Sequence, residues 1–223
     1  MPNLFQQYWR FLKQRDAALP WQRPVLRWYW SKGLNDVERL LWHRFHRARR
    51  ILDYGAGDLR LKQKFLAQGF DGAYETFDLS AESAHTYRDA AAIAGPYDAV
   101  FLLEVIEHMP LEAFLELLDQ VTGWLAPGAA LVIETSNPLC IVPMWSRDVT
   151  HIQQYPAADL CAILALRGFA IDAVHRLMVT PERVGPLRSL RFACKKFLTF
   201  LLDVDYADSV LVIAARSPSG TPT

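Results

Sequence analysis

Cysteine is scarce in this sequence of 223 residues, and it never occurs in pairs. Cys140, Cys161 and Cys194 stand alone among apolar residues, so the sequence has no CxxC motif or other metal-binding spacing. An odd number of isolated cysteines also argues against a disulfide framework. The cysteine pattern therefore favours a protein of a reducing compartment.

Long apolar runs are also missing. The first residues, MPNLFQQYWRFLKQRD, lack the apolar core of a signal peptide. No run approaches the roughly 18 apolar residues that a membrane-spanning helix needs. We therefore expect a cytoplasmic protein, with peripheral membrane contact left open. Because 52% of the residues are hydrophobic, a sizeable core can form, and only residues 217–223 resemble a flexible tail.

The chain as a whole has no net charge, but its first fifty residues are basic and the remainder is acidic. Residues 1–50 carry eleven Lys or Arg against three Asp or Glu, and the remainder carries thirteen against twenty-one. A basic segment of this kind could bind nucleic acid, anionic lipid or a phosphorylated substrate. Interleaved aromatic residues instead favour a helical extension that packs on the acidic body. We predict such an extension over residues 1–47.

Two basic stretches could form a lid over an acceptor, or grip a phosphate or a lipid surface. One is Arg183–Lys196. The other is the extension, with the basic and aromatic residues Trp9, Arg10, Trp21, Arg23, Arg27, Trp28, Tyr29 and Trp30. The alternative for both is a half-buried helix whose long basic side chains reach the solvent.

From residue 48 onwards, apolar runs of strand length alternate with segments of helical periodicity. This alternation predicts a Rossmann-like, doubly wound α/β domain over residues 48–216, with a mainly parallel sheet and an antiparallel last strand. Ligands of such sheets bind outside the carboxyl ends of the strands.

Local signals mark the ends of several elements. Asn35 or Asp36 is a candidate N-cap for the helix that precedes the first strand, and Gly69 is a candidate C-cap for the helix that follows it. Pro127–Gly128 predicts a turn, and a small strand is expected near residues 87–90.

The first candidate site is the loop Asp53-Tyr54-Gly55-Ala56-Gly57, which follows the first strand. Glycines there let the backbone approach a ligand closely. A dinucleotide fingerprint needs a third glycine where Arg60 stands, and the flanking Asp53 and Asp58 disfavour a pyrophosphate. Acidic residues instead suit a cationic ligand such as S-adenosylmethionine, which carries a sulfonium and an amino group and no phosphate.

The second candidate is Asp78, which ends the second strand about twenty residues after the loop. A carboxylate at this place can accept hydrogen bonds from both hydroxyls of a ribose. The alternative is a cap for a helix at residues 79–82. Pairing with the glycine loop favours the ribose contact.

Two further clusters follow later strands. Glu104, Glu107 and His108 could orient a loop beside the cofactor, and the less favoured alternative is a site for a hard cation. We predict no metal. His151, with Asp148 nearby, could act as a general base on a hydroxyl. The alternative, which has equal weight, is a histidine that contacts the substrate or has a structural role.

The segments LDYGAGDLR, FDLS, YDAVFLLEVIEHM, LAPGAALVIETSNP and RDVTHIQQYPAADLCAILALRGF occur in an order that resembles the seven-stranded S-adenosylmethionine-dependent methyltransferases. The resemblance covers about residues 48–215, and it is strongest to the branch with ubiquinone-pathway O-methyltransferases and glycan-modifying members. It implies a seven-stranded sheet and S-adenosylmethionine as cofactor. Departures are Leu59, where the family often has a third glycine, and a short connection between Asp78 and Asp89.

The resemblance also implies roles for single residues. His151 matches a histidine that contacts the substrate or acts as base. The loop residues match contacts to the methionine portion, Asp78 with Leu79 matches the ribose and adenine contacts, and His108 matches a histidine at a helix start. The implied cofactor-binding set is Asp53, Tyr54, Gly55, Ala56, Gly57, Asp78, Leu79, Asp89, Ala90, Glu104, Val105 and His108.

The expected function is therefore methyl transfer from S-adenosylmethionine to a hydroxyl of a small-molecule or glycan acceptor. An RNA methyltransferase and a non-catalytic cofactor-binding scaffold are the alternatives. A nicotinamide enzyme is disfavoured by Arg60.

Overall fold

The computed structural model describes residues 33–141, 146, 148–178, 186–202 and 204–216. Three predicted features fall outside these residues: the aromatic and basic part of the extension up to Trp30, the start of the second basic stretch at Arg183, and the tail 217–223.

Five helices and six strands make up the described chain. The helices are α1 (Asp36–Phe45), α2 (Arg60–Ala67), α3 (Leu111–Trp124), α4 (Ala157–Leu166) and α5 (Pro186–Leu202). The strands are β1 (Arg50–Tyr54), β2 (Ala73–Phe77), β3 (Tyr97–Leu103), β4 (Leu125–Ser136), β5 (Phe169–Leu177) and β6 (Ser209–Arg216). Among these helices, none combines the length and apolar character needed to cross a bilayer.

The strands form one mixed sheet in the order β2-β1-β3-β4-β6-β5. The pairs β1–β2, β1–β3 and β3–β4 are parallel, while β6 runs antiparallel to both β4 and β5. The prediction of a doubly wound α/β sheet with an antiparallel last strand is confirmed.

The predicted number of seven strands is wrong for the described residues, which form six. The small strand expected near residues 87–90 is reduced to one parallel bridge between Phe77 and Tyr87. The side chain of Asp89 accepts a hydrogen bond from the N–H of Ala91 and turns the chain into a short 3-10 helix, Ala90–Ala92. Extended pairing therefore stops directly after Tyr87.

Alternating side chains of the strands fill a core on each face of the sheet. In β1, Ile51 packs with the cluster that includes Phe65 of α2, and Leu52 packs with the opposite cluster, which includes Phe114 of α3. Apolar layers on both faces bury the parallel strands, as the continuous apolar runs predicted.

Helix α1 belongs to this packed body. Asn35 caps it, since the side chain of Asn35 accepts the N–H of Glu38 at 2.8 Å while Glu38 accepts the N–H of Asn35 at 2.7 Å. Leu41 and Phe45 are buried in the same cluster as Ile51. Helix α1 therefore contributes to the core, and the domain boundary at residue 48 stays a prediction.

Helix α3 leads into β4 without a loop, from Trp124 to Leu125. The register with β3 then shifts, since Tyr97 pairs with Leu125 but Ala99 pairs with Ala130. The predicted turn at Pro127–Gly128 is consequently a bulge within β4, where Gly128 adopts φ of 74°.

Candidate functional site

The carboxyl ends of β1, β2, β3 and β4 meet at one edge of the sheet. Tyr54 pairs with Phe77, and Leu103 pairs with Glu134. The residues that follow these strands, including Gly55, Asp78 and Glu104, therefore start from neighbouring positions. This is the edge at which parallel α/β sheets bind ligands.

The glycine loop and Asp78 face each other. The N–H groups of Gly55 and Ala56 donate to the carbonyl of Phe77 at 2.8 and 3.1 Å, and the N–H of Gly57 donates to Oδ2 of Asp78 at 2.8 Å. Oδ1 of Asp78 accepts the N–H of Ser80 at 2.7 Å. Each carboxylate oxygen keeps a second lone pair, so the fixed carboxylate can still accept hydrogen bonds.

The alternative interpretation of Asp78 as a helix cap is wrong, because residues 79–82 form no helix. Leu79 beside it is 64% exposed and offers an apolar surface next to the carboxylate.

Gly55 is required by both its conformation and its surroundings. It adopts φ of +85°, and a Cβ added there would lie 2.4 Å from Cγ2 of Val105. The loop is thus pressed against the residue after Glu104, with no room for a side chain. Leu59, where a third glycine was expected from the resemblance, keeps a left-handed conformation with φ of 63°. The turn therefore retains the shape that a glycine would give it, at a cost of about 1 kcal/mol.

Asp53 lies beneath the loop. Its carboxyl is buried and accepts a 2.9 Å hydrogen bond from the hydroxyl of Tyr74 on β2. Burial raises the pKa of Asp53 to about 7. The pair links the end of β1 to the start of β2, below the place where the loop begins.

Two glutamates follow β3. Glu104 has φ of 55°, a strained conformation for a residue with a side chain. Glu107 is fully buried, and its carboxylate accepts hydrogen bonds from Oγ1 of Thr135 at 3.0 Å and from the N–H of Ser136 at 3.4 Å. Burial raises the pKa of Glu107 above its usual value.

Glu104 lies on the open side of this pair. Its carboxyl accepts a hydrogen bond of 3.5 Å from Oγ of Ser136, whereas the residue as a whole is exposed. Loss of water around the carboxyl, and then the neighbouring Glu107, raise the pKa of Glu104 well above its usual value. The two carboxyls therefore give this edge a local preference for a cation or a proton.

His108 and His151 come together at the same edge, with ring centroids 4.8 Å apart. Nδ1 of His108 lies 3.0 Å from Oγ1 of Thr150, whose hydroxyl donates to Oδ1 of Asp148 at 2.6 Å. The Thr150 oxygen must then accept, which places the proton of His108 on Nδ1. Burial, and then the nearby His151, lower the pKa of His108, so its neutral form is favoured.

Glu107, His108 and His151 each offer one potential metal ligand, and the three ligand atoms lie within 4.8 Å of one another. The oxygens of Glu107 already accept hydrogen bonds from Thr135 and Ser136. The expectation that no metal binds here stays a prediction.

The segment of Asp89 and Ala90 lies on the Asp78 side of the edge, because Tyr87 is bridged to Phe77. Asp89 is exposed and caps the 3-10 helix, whereas Ala90 packs against the core. The cofactor contact that the resemblance implies for these two residues stays a prediction.

Sequence reasoning missed Thr150. This residue precedes His151 in the segment DVTH, and its N–H and hydroxyl both donate to Asp148. An Asp two residues before a Thr is typical of a turn closed by the Asp side chain, and this pattern could have predicted the turn. Its contact with His108 spans 42 positions and leaves no local trace.

The methyltransferase-domain family matches residues 11–174 of the chain. The chain belongs to this methyltransferase family. It is accordingly a methyltransferase enzyme, and its cofactor is S-adenosylmethionine. No curated protein matches the sequence.

Solved structures share the fold of this methyltransferase. A SAM-dependent methyltransferase from Archaeoglobus fulgidus superposes with a TM-score of 0.63 at 19% identity, covering 85% of this chain and 96% of that one. An O-methyltransferase from a Brevibacillus brevis trans-AT PKS multienzyme, in complex with S-adenosylhomocysteine, gives 0.59 at 14% identity, covering 92% and 80%. The 1,6-didemethyltoxoflavin-N1-methyltransferase of Burkholderia thailandensis gives 0.57 at 14% identity, covering 97% and 92%.

The residues of the edge fit a sulfonium cofactor. A glycine turn that leaves no space for a Cβ lies opposite a fixed carboxylate at Asp78. The carboxylate of Asp78 and the carboxyl oxygens of Glu104 favour a ligand with hydrogen-bond donors and positive charge over a phosphate. These acidic residues thus agree with the positive charge of S-adenosylmethionine.

Proposed function

We propose that this methyltransferase methylates a hydroxyl group of a small-molecule or glycan-type acceptor, with His151 as the general base. The observation that carries the proposal is the pair of His151 and His108 at the carboxyl edge of the sheet. The loop of His151 is held against the site, because the N–H groups of Ile152 and Gln153 donate to the carbonyl of Glu107 at 2.8 and 3.2 Å.

The cofactor is assigned to the edge from β1 to β3. The turn at Gly55 and Gly57 would hold the methionine portion, Asp78 would accept the ribose hydroxyls, and Glu104 would face the methionine end. Asp89, Ala90 and Leu79 would border the adenine. The bond between Gly57 and Asp78 supports this assignment, since it fixes the two halves of the nucleoside site relative to each other.

When bound, the cofactor supplies an activated methyl group for in-line displacement. The protein's part is to align the acceptor and to take up its proton. His151 is assigned the proton because it stands on the loop after β4. His108, whose proton is held on Nδ1 by Thr150 and whose pKa is lowered by burial, stays neutral beside it and does not oppose protonation of His151.

A hydroxyl acceptor is favoured by this base. The fold alone does not choose the acceptor atom, since the similar structures include both an O-methyltransferase and an N1-methyltransferase. A neutral amine attacks through its lone pair without losing a proton first, whereas a hydroxyl of high pKa gains most from a base within reach.

The test is transfer of radiolabelled methyl from S-adenosylmethionine into panels of hydroxylated metabolites, glycans and RNA. With the acceptor found, His151→Ala should lower kcat/KM by about 10²–10⁴-fold and should recover part of the activity at high pH, where the acceptor ionises unaided. Affinity for S-adenosylhomocysteine, measured by calorimetry, should be retained.

The matched control is His175→Ala, which removes a half-buried histidine on the edge strand β5. It should leave turnover unchanged. Full turnover by His151→Ala would show that His151 is not the base. Incorporation of labelled methyl into RNA alone would replace the proposed acceptor class.

A further inference from the structure

Helix α5 carries its apolar stripe on the outside of the protein. Leu187, Leu190, Cys194, Phe197 and Leu201 succeed one another at spacings of three or four residues, which places them on one face. Ala193 and Phe200 extend the same face, and all seven residues are exposed. The exposure reaches 82% at Leu187 and 87% at Phe200.

The opposite side of α5 is the one that meets the body. Phe192 and Thr199 are only partly exposed there, and Nζ of Lys195 lies 5.9 Å from the ring centroid of Tyr206. Leu198, also partly exposed, lies at the border of the apolar stripe beside Cys194. A surface helix ordinarily turns its apolar stripe towards the core and its polar side outwards. α5 keeps its apolar stripe away from the core, so an apolar environment outside the described chain must account for it.

The charge of α5 indicates what that environment is. The helix contains Arg188, Arg191, Lys195 and Lys196 and no Asp or Glu. At 100° per residue, the exposed Arg191 and Lys196 lie on the two borders of the apolar face. An apolar face bordered by basic residues is typical of a helix that lies in the interface of a bilayer with anionic lipids.

Neighbouring residues extend this surface. Leu139, in the loop after β4, is 66% exposed and lines a groove of about 560 Å³ together with Phe200. Arg176, Lys196 and Asp205 line the same groove, and Arg176 forms an ion pair of 3.4 Å with Asp205. The groove therefore presents Lys196 to a lipid headgroup directly beside the apolar face.

We propose that α5 docks the methyltransferase on the surface of an anionic phospholipid bilayer, with its apolar face among the acyl chains. Other occupants fit the charge less well. A second copy of α5 would bring two helices of four basic residues each together. Residues 1–32 carry six Lys or Arg and one Asp, so they too share the sign of α5. Of these three occupants, the anionic lipid surface alone combines apolar depth with the opposite charge.

The position of α5 gives this docking a consequence for the site. Helix α5 connects Leu177, the last residue of β5, to Ser209, the first of β6, and Ser209 also pairs with Ser136 at the end of β4. Asn137 Nδ2 donates to Oδ2 of Asp205 at 2.9 Å and joins the segment before β6 to the loop after β4. The docked helix thus places the carboxyl edge of the sheet close to the lipid surface.

The test is sedimentation of the full chain with vesicles of phosphatidylcholine alone and of phosphatidylcholine with ~30 mol % phosphatidylglycerol. Binding is expected for the anionic vesicles only and should weaken as salt is added. Phe197→Ser/Phe200→Ser and Arg191→Glu/Lys196→Glu should each lower the partition coefficient by about tenfold or more.

Two matched controls keep the comparison specific. Leu166→Ser removes a leucine of 74% exposure at the end of α4, and Arg47→Glu reverses an exposed charge at the opposite edge of the sheet. Both should bind vesicles as the wild type does, and circular dichroism should show that every variant is folded.

Three results would overturn the proposal. They are absence of wild-type binding to anionic vesicles, equal binding to neutral vesicles, and unchanged binding by both α5 double variants. A dimer in light scattering that Phe197→Ser/Phe200→Ser converts to a monomer, without vesicle binding, would assign the face to a second copy. None of these readouts depends on methyl transfer, so they are independent of the proposed acceptor and base.

Discussion

The backbone N–H of Gly57 donates a hydrogen bond of 2.8 Å to Oδ2 of Asp78. This single contact ties the glycine turn after β1 to the carboxylate after β2. Asp78→Ala removes both the tie and the proposed partner of the ribose hydroxyls. We expect the affinity for S-adenosylhomocysteine, measured by calorimetry, to fall by about tenfold or more, because charge-assisted hydrogen bonds contribute about 1.5–3 kcal/mol each.

Asp71→Ala is the control for this prediction. Asp71 is an exposed acid of the loop before β2, at the opposite edge of the sheet. The Asp71→Ala variant should bind S-adenosylhomocysteine as tightly as the wild type does. Equal affinity of the wild type and Asp78→Ala would show that the cofactor does not use this carboxylate.

Gly55→Ala should destabilise the protein by about 1–3 kcal/mol. The added Cβ would meet Cγ2 of Val105 at 2.4 Å and would hold a non-glycine residue at φ of +85°. In the Val105→Ala background the contact is absent but the backbone strain remains. Adding Gly55→Ala to that background should therefore cost less stability than adding it to the wild type, but should still cost some. Urea denaturation measures all three variants.

Gly123→Ala is the matched glycine substitution. Gly123 lies within α3, and a Cβ there would meet nothing within 4 Å. Alanine should therefore raise the free energy of unfolding by up to about 1 kcal/mol. A stability loss of similar size at both glycines would contradict the explanation by contact and φ.

At Glu104, the backbone conformation and the proposed role of the side chain favour different residues. Its φ of 55° favours glycine, whereas its carboxylate is proposed to face the cofactor. Glu104→Gly and Glu104→Ala should both weaken binding of S-adenosylhomocysteine. Of the two, Glu104→Gly should be the more stable by about 1 kcal/mol, because only glycine adopts this conformation without strain. The reverse order in urea denaturation would show that the backbone strain has no energetic cost.

The buried carboxyl of Asp53 should make stability fall with rising pH. Its pKa is raised from the usual 3.8 to about 7 in the folded protein, so the unfolded chain ionises first. Between about pH 4 and 7, unfolding then releases a proton, and stability decreases by at most a few kcal/mol as the pH rises. Below about pH 4 both states are protonated and the contribution is fully present.

Asp53→Asn keeps an oxygen for the hydroxyl of Tyr74 and removes the titration. The decrease in the free energy of unfolding from pH 5 to pH 8 should therefore be smaller in this variant than in the wild type. Asp71→Asn, at an exposed site, should show the wild-type decrease. Identical pH profiles for Asp53→Asn and the wild type would place the ionisation elsewhere.

Local signals in the sequence predicted much of the fold. Asn35 followed by Glu38 gives the capping box of α1, and Gly69 adopts φ of 91° directly after the last turn of α2. The glycine loop and Asp78 were predicted as one site from spacing, and the structure brings them into contact. Each of these features depends on a few neighbouring residues or on the regular geometry of parallel strands.

Features that depend on tertiary context were not predictable in the same way. The pattern around Tyr87 suits a strand, but pairing with Phe77 stops after one bridge because Asp89 turns the chain. The bulge in β4 follows from its register with β3. Thr150 reaches His108 only because two loops meet in space. Single-sequence patterns carry no information on such contacts.

The place of β6 in the sheet has a consequence for how the protein is made. β6 is the last strand in chain order, yet it lies between β4 and β5. On a ribosome, β1 to β4 can pair as they emerge, but β5 has no partner until residues 209–216 have been synthesised. Until then the edge of β4 stays open to other chains, so the nascent protein is most vulnerable to aggregation in the interval between its fifth and sixth strands.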